Sequence, residues 1–340
     1  TTPFKYSISN YGADYVVEVL VKRVSKGDIF IPPFQREYVW SLKDASRFIE
    51  SLLLGLPVPS VFLSREPESQ KLLVIDGSQR LRTLRHFYDG IWPKTKKEFS
   101  LIGVQKQFRG KTYKTLADED RRRLDDSVIH AIILRQDEPS DDYSSIYYVF
   151  ERLNTGGLLL TPQEIRASIY HGPFSELLKR LSRLDDWNDV YGPSSANMRD
   201  QELILRFLAL YFSASNYHRP MKDFLNRFMA RNRRLKLHSE DEIETVFKES
   251  IHLVKDCLGR SAFKPKRALN AAVFDAAMVG IARRLETSKP NCNELRTSYE
   301  GLLANEEFLR VSERSTADEE NVEKRLRLAT EAFAQADEAR

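Results

Sequence analysis

The apolar pattern of this chain changes period near residue 140, and that change limits the folds open to it. Before it, short runs rich in β-branched residues recur at Val58–Ser64, Lys71–Ile75 and Ser127–Arg135, the pattern of strands. Helical stretches separate them. Ala45, Phe48, Ile49, Leu52 and Leu53 share one face, with Ser41 and Asp44 at the start and Gly55 at the stop. A second helix opens at about Ser78, with Leu81, Leu84 and Phe87 on one side. After residue 140 the spacing is helical. Ile146, Val149, Phe150 and Leu153 form one face, and Asn154-Thr155-Gly156-Gly157 interrupts it. Thr161-Pro162-Gln163-Glu164 then joins a cap, a first-turn proline and a capping-box glutamate, and Ser239 with Glu242 repeats the box. Further helices are expected at about 174–184, 198–213, 220–231, 240–258, 268–286, 293–308 and 317–337. The expected fold is therefore α+β: a small α+β domain over 1–140 and an all-helical domain over 141–340, with the seam at 138–142.

Composition excludes several classes. With 19 Phe and 14 Tyr the chain is not a disordered polymer. Two cysteines, Cys257 and Cys292, argue against a disulfide scaffold and a Cys-based zinc site. A soluble cytoplasmic protein is the expectation, since no window approaches the ~18 apolar residues of a membrane span and no signal-peptide core is present. The first residue is Thr rather than Met, which suggests processing or excision from something longer. The net charge of +4 hides an uneven distribution. Residues 219–238 hold seven Lys or Arg against Asp223, whereas 315–340 hold seven Asp or Glu against four cations.

Three segments carry candidate chemistry. In Leu72-Leu73-Val74-Ile75-Asp76-Gly77-Ser78-Gln79-Arg80, a buried strand runs into Asp-Gly and a helix opens at once. The first-turn N–H groups and the helix dipole then form an anion site. Arg80 can fork onto phosphate oxygens, and Asp76 can hold Mg²⁺. The plain alternative is a strand–turn–helix with Asp76 as cap and Arg80 in solvent. In Ile31-Pro32-Pro33-Phe34-Gln35-Arg36-Glu37-Tyr38-Val39-Trp40, two prolines stiffen a loop that presents Gln35 and Arg36; the alternative is a docking loop with a structural ion pair. In the third segment, Phe150 to Arg166, Asn154 is either a helix C-cap or an amide contact to a ligand. Arg166 lies where the helix dipole disfavours a cation, so an anionic partner is expected.

Together, and in this order, these segments resemble the N-terminal domain family of GmrSD-type modification-dependent restriction enzymes, within the ParB/sulfiredoxin-like superfamily. The Pro-Pro-Phe-Gln-Arg-Glu-Tyr-Val-Trp loop, the Asp-Gly-Ser-Gln-Arg turn and the Arg-Leu-Asn-Thr-Gly-Gly…Leu-Thr-Pro-Gln-Glu-Ile-Arg stretch carry the resemblance over about 31–170. It implies a nucleotide at the turn, NTP hydrolysis and defence against foreign, often modified, DNA in a prokaryote. The residues carried over are Gln35, Arg36, Asp76, Gln79 and Arg80 for catalysis, with Asp76 on the metal, and Gly77 and Asn154 for binding; Ser78 and Arg166 join them as further nucleotide-binding candidates. The implied cofactors are Mg²⁺ and GTP, ATP or CTP. Ser78 departs from the family's usual glutamine at that position.

Many relatives end in a His-Asn-His nuclease domain. The six histidines here are scattered singly, so a partner nuclease subunit or domain is expected and nuclease activity of this chain is not. The alternative function is a non-hydrolysing nucleotide or DNA sensor that regulates such a nuclease. Arg227, Arg231, Arg233, Arg234 and Lys236 are the candidate contacts to double-stranded DNA, against the plain reading of a solvated basic face. Arg121-Arg122-Arg123 and Lys264-Pro265-Lys266-Arg267 are weaker candidates.

Overall fold

The structure is a computed structural model that describes residues 7–32, 38–66, 69–138, 144–153, 160–195, 197–264 and 268–334. The first strand, β1 (Ser7–Val16), has no counterpart in the sequence reading. Its Ser, Asn, Gly and Asp residues hide it, because strand signals rest on β-branched and aromatic runs. It forms by pairing antiparallel along its whole length with the last strand of the sheet, at Val128–Glu138. Helix α1 (Val17–Lys26) follows and ends at Gly27, whose φ of 76° lets its N–H return to the carbonyls of Arg23 and Val24.

Next come β2 (Ile29–Phe30), α2 (Leu42–Leu53), β3 (Val61–Arg65), β4 (Leu72–Asp76), α3 (Ser78–Asp89), α4 (Asp118–Asp126), β5 (Val128–Glu138) and α5 (Ser144–Leu153). The reciprocal Ser41–Asp44 cap of α2 is present. The five strands form one mixed sheet in the order β1-β5-β3-β4-β2. β3 is antiparallel to β4 and parallel to β5, and β2 is parallel to β4. Val61, Leu63, Val74, Ile129, Ala131 and Ile133 join Leu20, Ile49, Leu52, Leu81, Leu84 and Phe87 in one core. Helix α5 packs on β4 and β5, where the alternate residues Leu73, Ile75 and Leu134 are also buried.

The chain folds as two compact units, Thr1–Leu159 and Leu160–Arg340. Helix α5, whose spacing suggested the helical part, therefore goes with the sheet it covers.

The second unit holds α6 (Pro162–Ile169), α7 (Pro173–Leu181), α8 (Asp185–Tyr191), α9 (Arg199–Ser213), α10 (Met221–Asn232), α11 (Glu240–Cys257), α12 (Ala271–Leu285), α13 (Cys292–Ala304), α14 (Glu306–Glu313) and α15 (Glu319–Ala334). No strand occurs among its described residues. The capping boxes expected at Thr161/Glu164 and Ser239/Glu242 form. The single helix expected over 293–308 is instead two. Asn305 ends α13, and its side chain accepts the Phe308 N–H to start α14. Helix α12 is buried along nearly its whole length. It lies against α15 at Gly280, where a Cβ would stand 2.9 Å from the Ala329 carbonyl.

Cys257 and Cys292 are bonded to each other, joining the end of α11 to the start of α13. The two cysteines, read from their scarcity as evidence against a disulfide scaffold, thus form one cross-link. No helix of the described residues is long and apolar enough to cross a membrane.

Candidate functional site

The candidate site of the first unit begins with an apolar strand. Leu72 to Ile75 are buried, which fixes β4 in the sheet and leaves Asp76 exposed at its end. Gly77 then adopts φ 94°, a conformation that suits glycine. A Cβ there would also sit 2.6 Å from Val61 Cγ1. The turn is therefore closed by glycine for two independent reasons. α3 starts immediately, and its first bond runs from the Leu81 N–H to the Gly77 carbonyl at 3.0 Å. No side chain caps α3, and no acidic residue lies in its first turn. Its leading N–H groups face the turn, and the carboxylate that precedes them, Asp76, is engaged by Arg80.

Arg80 folds back over this opening. Its Nη2 donates to Asp76 Oδ2 at 2.8 Å and to the Ser60 carbonyl at 3.0 Å. The Arg80 side chain is 14% exposed and that of Asp76 is 50% exposed. The buried Arg80 Nε has no hydrogen-bond partner. One nitrogen of the fork is thus fixed by two acceptors. The Ser60 carbonyl, which aims this fork, escaped the sequence reading because a backbone oxygen leaves no side-chain signature.

The proline-rich loop reaches the same place. Gln79 Oε1 accepts from the backbone N–H of Val39 at 3.0 Å and of Trp40 at 3.4 Å. Lys94 Nζ donates to the Val39 carbonyl at 2.8 Å. Thr83 donates its hydroxyl to the Gln79 carbonyl, so the Tyr38 hydroxyl donates to Thr83 Oγ1, at 2.6 Å. Burial pushes the Tyr38 phenol up to about 12. Tyr38 also meets His86 and Trp92 edge-on, each at 5.3 Å. The first two motifs are therefore joined through Gln79 and Thr83, and the Gln79 carbonyl oxygen is occupied by that joint. Ser78 opens α3, half-buried. Gln35, Arg36 and Asn154 lie outside the described residues.

Arg166 is placed differently from the sequence expectation of a nucleotide contact. It is 2% exposed inside the second unit. Its Nε donates to Asn226 Oδ1 at 2.9 Å, and its Nη1 to Gln163 Oε1 at 3.2 Å and Glu202 Oε2 at 2.9 Å. Glu202 is the anionic partner that the dipole argument required. Arg166 is accordingly a core residue that ties α6 to α9 and α10.

The basic stretch divides as well. Arg233 Nε donates to the His171 carbonyl at 2.7 Å, and its own carbonyl accepts from the Phe174 N–H. It thus anchors the end of α10 to the turn before α7 rather than projecting as a free DNA contact. Arg227 and Arg231, one turn apart on α10, make no ion pair or hydrogen bond among the described residues, and neither does Lys236. Arg234 is exposed but engaged. In α4, Arg121 pairs with Asp118 and Arg123 with Glu119. These are local helix contacts of small energetic weight.

A metal could meet only a sparse donor set here. Among the described residues no group of three His, Cys, Asp or Glu side chains comes together to hold one. Asp76 is a single half-exposed carboxylate beside a cation. That fits an ion arriving already bound to phosphate oxygens, not a cage made by the protein.

No curated protein matches the chain. A family model does, over residues 17–171, described as the GmrSD restriction endonuclease, N-terminal domain. The match runs from α1 through α6, so it takes in the Gly77 turn, its docked loop and Arg166. Residues 17–171 of the chain are thus similar to the GmrSD restriction endonuclease N-terminal domain family.

Proposed function

We propose that the first unit binds a nucleoside triphosphate with Mg²⁺ at the Gly77–Arg80 turn and hydrolyses it, as part of a restriction-type defence against foreign, modified DNA. The observation that carries this reading is the uncapped start of α3 with Arg80 drawn over it, one nitrogen fixed and Nε buried without a partner. Free N–H groups and the helix dipole select an anion, and the guanidinium adds directed bonds to its oxygens. Asp76 would hold the metal, which when bound supplies charge neutralisation on the phosphates. Gln35, Arg36 and Asn154 complete the nucleotide contacts in this reading. Gln79 keeps its amide nitrogen for water or base. The nucleotide in this reading is GTP, ATP or CTP.

The matching family is that of a restriction endonuclease N-terminal domain, so cleavage of DNA is assigned to a nuclease domain or subunit that acts with this chain. Double-stranded DNA is assigned to Arg227, Arg231, Arg234 and Lys236, with Arg233 as their anchor. These ligands belong to the cytoplasm.

Phosphate release from each NTP with Mg²⁺, with and without duplex DNA, tests the hydrolytic reading. Wild type should release phosphate, and Arg80→Ala should abolish release. A second reading is a non-hydrolysing sensor, favoured because the Asp76 carboxylate is already held by Arg80. Background release with intact nucleotide binding selects the sensor. Absence of binding removes the nucleotide from both.

A further inference from the structure

The end of α10 exposes an apolar side chain in a cationic setting. Leu237 is 57% exposed, more than any other large apolar residue described. It lines one crevice together with Arg227, Arg231, Phe224, Phe228 and Asn216. The loop that carries it is held from both sides. Arg233 is anchored to the His171 carbonyl, and the next ring along, His238, stacks on Phe212 at 4.1 Å. Between them Leu235 adopts φ 54°, a left-handed conformation that a bulky residue takes up at a cost and that clusters at functional positions. The acidic start of α11 is close in sequence, but Glu240 pairs with Arg180 and His238 lies 3.6 Å from Glu242. Arg227, Arg231 and Lys236 keep their charge unmatched among the described residues.

We propose that Leu237 is a DNA wedge: Arg227 and Arg231 hold phosphates of a duplex while Leu237 enters a base step from the groove and unstacks it. Apolar wedges flanked by cations are how proteins that bend DNA engage it. A docking face for protein would be a contiguous apolar patch, whereas here one leucine stands among cations, and the charge complements a polyanion. The inference rests on the DNA reading proposed above, and it adds that the duplex is deformed at this contact.

The test uses a short duplex with 2-aminopurine at a central TA step, which unstacks readily. The full chain should bind with a rise in 2-aminopurine fluorescence. Leu237→Ala should lose that rise and bind about tenfold more weakly, with an unchanged salt slope. Leu237→Phe should keep the rise. The double change Arg227→Ala with Arg231→Ala should flatten the slope of log affinity against log salt by about two. Unaltered fluorescence and affinity in Leu237→Ala, with the slope still flattened by the arginine change, would overturn the wedge and leave DNA binding standing. No effect of either change would overturn DNA binding at this face. Because Leu237 and Arg231 are exposed and Arg227 is half-buried, unchanged circular dichroism should accompany all three variants.

Discussion

Arg80 and Arg166 both fall within the family match and both pair with a carboxylate, yet they do opposite things. Arg166 is sealed in the second unit, its donors distributed over Asn226, Gln163 and Glu202. Arg80 spends one nitrogen on Asp76 and Ser60 and leaves its Nε without a partner, at the mouth of an uncapped helix. The difference teaches that two motif arginines of one chemical type are separated by their surroundings, Arg166 being sealed in a core and Arg80 lying beside an uncapped helix start.

Removing each arginine breaks or sharpens this contrast. Arg166→Ala should cost about 3–5 kcal/mol, because it strands buried partners, and chemical denaturation would read the loss. A variant of normal stability that fails to bind nucleotide would reverse the assignment.

Gly77→Ala comes next, at about 2–3 kcal/mol, from its positive φ and the Val61 contact. Adding Val61→Ala should return only part of that cost. Full recovery would show that φ is irrelevant to the turn.

Arg80→Ala should cost only about 1–2 kcal/mol of stability. Nucleotide affinity, read by calorimetry, should fall on the order of tenfold or more. A large loss of stability with affinity retained would make Arg80 a second Arg166.

The smallest effect concerns a buried charge with no cation. Asp200 is fully buried at the start of α9, and desolvation raises its carboxyl above the ordinary range, with backbone N–H groups opposing. A raised carboxyl favours the fold fully below about pH 4, and that contribution is lost as pH rises through the shifted value. Asp200→Asn should therefore raise the melting temperature at neutral pH and leave it unchanged in acid. An equal change at both would dissociate Asp200 from the pH response.

The parts legible in the sequence were those governed by local rules. Ser41, Thr161 and Ser239 announce their helices because a cap acts across three residues. The Gly77 turn is readable because an apolar run meets Asp-Gly. β1 was not readable, since its partner lies more than a hundred residues away and its own composition is poor for a strand. Asn305 was hidden for a different reason: the apolar spacing continues across a residue that both ends and begins a helix. The roles of Arg166 and Arg233 depend on Glu202 and His171, whose proximity only the fold creates.

The Cys257–Cys292 link has a thermodynamic reach beyond the two helices it joins. It closes a loop of sequence separation 35, with all of α12 inside. Closure on that scale removes about 4 kcal/mol of freedom from the unfolded chain. The helical unit should therefore melt earlier as thiol reductant is added, while the sheet unit, which contains no cysteine, should be indifferent. Two halves of one polypeptide would then answer differently to the redox state around them.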